Sequence, residues 1–157
     1  MKKILTYTSI ILLIILISLI ILKINKPINY ENKIIKTFET KEKVKFKDIF
    51  EFEFDRAYFF ALKDCYLNGE QFAKTYNLDI SINEVKEGEA DYINRIIFVD
   101  KNGNFIYEFK FTMDKLNMHE KGIIIYPETT IEKDYSDIID GLYLKINSTE
   151  YLSEYKR

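Results

Sequence analysis

Catalysis needs reactive groups that converge, and the chemically distinctive side chains of this 157-residue chain are sparse. Cys65 is its one cysteine and His119 its one histidine. A thiol becomes a nucleophile when a base or a nearby cation lowers its pKa, so Cys65 would need His119 beside it. Without that neighbour a single cysteine reads as a small buried hydrophobe, and it cannot form an internal disulfide. His119 falls in Leu116-Asn117-Met118-His119-Glu120-Lys121-Gly122, which reads as a polar connection. A lone histidine there lacks the convergent partners that a metal site needs.

Carboxylates are more plentiful. Glu84, Glu87, Glu89 and Asp91 form one acidic group, and Asp134, Asp137 and Asp140 another. They read as a solvated loop and a solvated helix face, with docking to a basic partner as the functional alternative. General acid–base work needs two carboxyls in opposed environments, and the sequence singles out no such pair. Asp100, Asn102 and Asn104 have the alternate spacing of a calcium loop, but Gly103 comes too early and the distal Glu is missing. The same residues suit a hairpin turn. Five scattered glycines do not build a phosphate cradle, and no serine elbow is present. Asn147-Ser148-Thr149 matches a glycosylation acceptor. The expectation is no catalytic residue, no metal ligand and no cofactor.

The elements that carry these residues begin with a basic end, residues 1–3. Ile4 to Leu22 follows, a run of 19 residues without a charge. At about 1.5 Å per residue it reaches about 28 Å, close to the roughly 30 Å of a hydrocarbon core. It is longer than a signal-peptide core, and no small-x-small cleavage site follows it. An uncleaved single-pass transmembrane helix is therefore expected over 4–22. Lys2 and Lys3 favour an inside N-terminus, whereas Lys23, Lys26, Lys33, Lys36, Lys41 and Lys43 beyond the span favour the reverse. The signal-anchor layout, and the indifference of long translocated regions to charge, tip the expectation toward an extracytoplasmic domain on a bacterial cytoplasmic membrane.

Residues 23–44 read as a linker carrying an amphipathic helix, in which Tyr30, Ile34, Ile35 and Phe38 form one stripe. That stripe would pack on the domain or lie in the lipid interface. Residues 45–157 read as one α+β domain. Phe50, Phe52 and Phe54 alternate with Glu51, Glu53 and Asp55, the period of a half-buried strand. Ala57 to Leu62 suits a strand buried on both faces, and Glu70 to Tyr76 a short helix after the Asn68-Gly69 break. Ile93–Val99 and Phe105–Phe111, joined by Asp100-Lys101-Asn102-Gly103-Asn104, predict a hairpin. Gly122–Tyr126 and Leu142–Ile146 add strands. The sum is a mainly antiparallel sheet of four to six strands with one or two packed helices.

Beyond residue 30 the chain carries 19 basic against 25 acidic residues, a net charge of −6. Nucleic-acid affinity comes largely from cationic side chains on phosphates, so a nucleic-acid partner is not expected. Twelve Phe and twelve Tyr, nearly all outside the apolar run, supply a packed core rather than a disordered tail.

Phe54-Asp55-x-x-Tyr58-x-Phe60, followed by Tyr66, resembles a pattern in small, often exported or membrane-anchored bacterial proteins of uncharacterised function. The likeness covers residues 46–112. Phe54 stands where those proteins more often carry Trp, and Leu62–Tyr66 lacks their Gly-Pro-Tyr stretch. The resemblance implies export and brings no chemistry. The expected function is a membrane-anchored binding module of immunity or inhibitor type, with the membrane and a protein as partners. The alternatives are an envelope-polymer hydrolase using paired carboxylates, and a cytoplasm-facing regulator of reversed topology.

Overall fold

The computed structural model describes residues 11, 13–15, 17, 28–60, 64, 66–82, 84–86, 93–113, 115–119, 122–135 and 142–152. The expected span over 4–22 falls largely outside them. Its described members Ile11, Leu13, Ile14, Ile15 and Ile17 are helical and 47–57 % exposed. Among the described residues no helix is long and apolar enough to cross a membrane.

Helix α1 (Tyr30–Thr40) opens on Asn29, whose side chain accepts a hydrogen bond from the Asn32 amide at 2.9 Å. A cap of this kind contributes about 1 kcal/mol. Tyr30, Ile34 and Phe38, one turn apart, are buried. Of the two fates open to this stripe, the structure gives the core.

After β1 (Lys43–Lys45) and a 3₁₀ turn at Phe46–Asp48 come β2 (Arg56–Phe59), α2 (Gly69–Thr75), β3 (Ile93–Val99) and β4 (Phe105–Thr112). They are followed by β5 (Leu116–His119), β6 (Ile123–Ile125), β7 (Thr130–Lys133), β8 (Leu142–Asn147) and β9 (Glu150–Tyr151). The fold is α+β, with two mostly antiparallel sheets. One has the order β4-β3-β2-β6-β9, the other β1-β7-β8-β5. The sequence predicts one sheet, and the structure divides the strands between two. The parallel β5–β8 pair is the exception to the antiparallel rule.

The division follows from what β2 and β3 must bury. Both are apolar on successive residues, so both faces of the five-stranded sheet need cover. Ala57, Phe59, Ile96 and Phe98 face a core completed by α1 and by Val44, Leu116, Met118, Ile131, Leu144 and Ile146 of the four-stranded sheet. Tyr58, Phe60, Ile97 and Val99 face a second core with Phe72 and Tyr76 of α2 and with Ile82 and Val85. Helix α2 carries the capping box that the Asn68 break supplies, since Asn68 and Gln71 cap each other's amides at 2.9 Å. Its first residue must be glycine: a Cβ on Gly69 would sit 1.7 Å from the Ile82 carbonyl oxygen.

The predicted hairpin is β3–β4. Asp100 closes its turn by accepting from the Asn102 and Asn104 amides at 2.8 Å and from the Asn104 side chain at 2.9 Å. Gly103 takes φ 79°, the left-handed region. The hairpin explanation of this triplet therefore holds.

Three expectations need correction. Residues 50–54 do not form a strand; Phe50 and Phe54 are buried, Phe52 half-buried, and Glu51 and Glu53 exposed, in an arm that bends at Glu51 and Phe52 outside both sheets. Alternation of burial depends on which way side chains point, and rings can supply the packing that a neighbouring strand would. Leu116–His119 is not a polar connection but an edge strand, with Leu116 and Met118 buried. Asp134 lies on no helix; its amide bonds the Tyr143 carbonyl at 2.9 Å just after β7.

Candidate functional site

The arm is where the fold puts unusual chemistry at its surface. Lys47 to Phe54 leaves the 3₁₀ turn, which is tied down by Phe46 N–H to the Thr129 carbonyl at 2.9 Å and Lys47 N–H to the Pro127 carbonyl at 3.1 Å. Its far end is fixed by Asp55 N–H to the Val99 carbonyl at 3.0 Å. Between these anchors the rings lock onto the sheet. Phe50 lies 4.6 Å from Phe98, Phe52 meets Phe98 edge-on at 5.1 Å, and Phe54 meets it edge-on at 5.0 Å. Tyr30 at the start of α1 adds contacts to Phe50 at 4.8 Å and Phe52 at 6.0 Å, and Tyr107 lies 5.4 Å from Phe52. Such pairs are each worth about 0.5–1.5 kcal/mol beyond their burial, so the arm is rigidly held without strand hydrogen bonds.

Lys47, Phe50, Glu51, Phe52, Glu53, Phe54 and Pro127 line a shallow groove of about 490 Å³. Its floor is aromatic and its exposed carboxylates are Glu51 and Glu53. Lys33 bonds Glu51 at 2.8 Å, while Glu53 makes no ion pair among the described residues. The Lys47 ammonium is turned to Glu128, which also holds Lys45 at 2.6 Å. These two lysines hold the Glu128 carboxyl down at about 2. With Lys47 so engaged, ring faces and a carboxylate are left to meet a ligand, and both attract cations.

Two other polar constellations were not foreseen. Arg95 on β3 is fully buried. Its Nε donates to Glu108 Oε1 at 2.7 Å, its Nη1 to the Leu67 carbonyl at 2.8 Å and its Nη2 to the Lys86 carbonyl at 2.6 Å, with the Phe60 ring 4.9 Å from its Cζ. It ties the segments around α2 to the sheet and leaves little room for a ligand. The signal in the sequence is a charge set inside the apolar run Ile93–Val99. The second lies on β2 and on the ends of β6 and β9 beside it. Arg56 Nε donates to the Tyr58 hydroxyl at 2.9 Å, and the Tyr126 hydroxyl donates to Glu150 at 2.8 Å. Burial first, and then the bond to Glu150, push the Tyr126 phenol up to about 12. It is a fixed donor at neutral pH, not a base.

The residues singled out in the sequence do not converge. Cys65, Glu87, Glu89, Asp91, Asp137 and Asp140 lie outside the described residues. Glu84 is exposed in a turn, and His119 ends β5 opposite Lys145. Asn147 closes β8, and the Ser148 hydroxyl bonds the Ile124 carbonyl within the fold. Among the described residues no group of three or more His, Cys, Asp or Glu could hold a metal ion. Compared with protein families, curated proteins and solved structures, the chain has no match.

Proposed function

We propose that this chain is a membrane-tethered, extracytoplasmic binding module of immunity or inhibitor type, whose arm groove receives a lysine- or arginine-bearing segment of a partner protein. The observation that carries the reading is the arm itself: a half-exposed Phe52 flanked by exposed Glu51 and Glu53, held rigid by its ring contacts. A preorganised aromatic site loses little conformational entropy on binding. The net charge of −6 beyond residue 30 draws a basic partner toward it. The tether rests on the uncharged run from Ile4 to Leu22 and on the exposure of its described helical residues.

The test uses the full chain in neutral nanodiscs, titrated with a labelled lysine-rich peptide and with a glutamate-rich peptide of equal length. The basic peptide binds, salt weakens it, and Glu53→Lys at the exposed rim weakens it about tenfold. Equal binding of the acidic peptide, or no effect of Glu53→Lys, would sink the reading.

A further inference from the structure

Helix α1 turns Tyr30, Ile34 and Phe38 into the core, so the face left to the surroundings is its polar one. Asn32, Lys33, Lys36, Thr37, Thr40 and Lys41 line a shallow depression of about 520 Å³ there, together with Ile28 and Asn29. Lys36 and Lys41 are exposed and form no ion pair among the described residues. The neighbouring lysines of β1 and the turn after it are different: Lys43 is held by Glu132 at 3.0 Å, and Lys45 and Lys47 by Glu128. The helix also carries Glu31 and Glu39, but neither is paired with Lys36 or Lys41 among the described residues, so α1 presents two cations free of direct ion pairs in a domain of net negative charge.

Position along the chain says what these cations would meet. Eight residue steps separate Leu22 from Tyr30, the first residue of α1. At no more than about 3.6 Å per step, they hold the start of α1 within about 29 Å of the end of the run. The helix itself is about 16 Å long, so its whole polar face stays within reach of the bilayer surface. A tether of that length gives even a weak contact a high effective concentration.

We infer that the outward face of α1 docks on anionic lipid headgroups, with Lys36 and Lys41 as the residues that bind lipid phosphate. The inference rests on the tether reading above. Tyr30 at the start of the docked helix touches Phe50 and Phe52 of the arm, so docking would also fix the groove relative to the membrane.

The experiment reconstitutes the full chain in vesicles of phosphatidylcholine alone or with about 30 % phosphatidylglycerol, a typical anionic surface. Acylation rates of individual lysines are then read by mass spectrometry, with Lys101 at the tip of the β3–β4 turn as internal reference. Lys36 and Lys41 should be acylated more slowly on the anionic vesicles, by about fivefold for each lysine engaged, and high salt should abolish the difference. Lys101 should be unchanged. In the exposed double variant Lys36→Glu/Lys41→Glu, the lipid-dependent protection of neighbouring Lys33 should vanish. A chain retained by both vesicles with equal acylation of Lys36 and Lys41 overturns the docking and leaves the tether standing. A chain washed off both vesicles by carbonate overturns the tether, and the docking with it.

Discussion

Replacing Arg95 by Met removes the guanidinium while keeping most of the apolar stem that Phe60 packs against. Glu108, whose side chain is 14 % exposed, then keeps its charge with only Lys110, 3.5 Å from its other oxygen, to meet it. The Leu67 and Lys86 carbonyls lose their donor as well. Breaking one side of a buried pair costs roughly 3–5 kcal/mol, and the residual Lys110 contact moves the figure toward the low end. With the two carbonyl bonds included, the expected loss is about 3–4 kcal/mol. For a chain of this size that is a fall in Tm of roughly 10 °C. The removal of both charges in Arg95→Met/Glu108→Leu should be milder than the single change by at least about 1 kcal/mol, because no stranded carboxylate remains. Urea melts of the full chain in neutral detergent, followed by far-UV circular dichroism with matched m-values, give both numbers. A single-variant loss below about 1 kcal/mol, or a double variant less stable than the single, would refute the buried-pair account.

Asn94, fully buried beside Arg95, has no hydrogen-bond partner among the described residues for either side-chain polar atom. Asn94→Leu should therefore leave stability unchanged or raise it by about 1 kcal/mol in the same urea assay, and a loss above that would show an unrecognised role. Gly69→Ala forces a Cβ onto the Ile82 carbonyl oxygen; several kcal/mol of destabilisation are expected, and a neutral result would mean that the α2 start is not pressed on the 82–85 segment. Glu128, held by Lys45 and Lys47, should titrate near 2 by NMR, and Lys45→Gln/Lys47→Gln should return it toward its ordinary 4.5. Because its folded pKa is lowered, its stabilising effect is present above pH 4.5 and is lost as pH falls toward 2. Unchanged titration in the double variant would remove the lysines as the cause.

The parts of the fold legible in the sequence are those whose signals are local. Asn68 before Gly69, Asp100 with Asn102 to Asn104, and the Tyr30–Ile34–Phe38 stripe each define a cap, a turn or a face within a few residues. The arm is legible as alternation but not as an arm, since Phe50, Phe52 and Phe54 turn inward and Glu51 and Glu53 outward whether or not a strand lies alongside. β5, β7 and β9 are too short for periodicity to build up, and their pairings join residues distant in the chain. Arg95 was missed because its partners come from β4 and from carbonyls at Leu67 and Lys86, which no spacing rule links. The groove shares that character. Pro127 and the arm are neighbours only because β1 lies against β7.

That last pairing sets a schedule for making the protein. β1 waits for β7, and β8 must arrive before β5 and β7 share a neighbour. About 100 residues separate β1 from β8, so at about 5–20 residues per second a ribosome needs about 5–20 s to deliver them. Local helices and the β3–β4 hairpin form within microseconds, far ahead of that delivery. During the wait, Val44 and the core face of the early strands lack Ile131, Leu144 and Ile146, and the nascent domain is a client for holding chaperones. High contact order thus makes β7, β8 and β9 the latch that completes the two sheets.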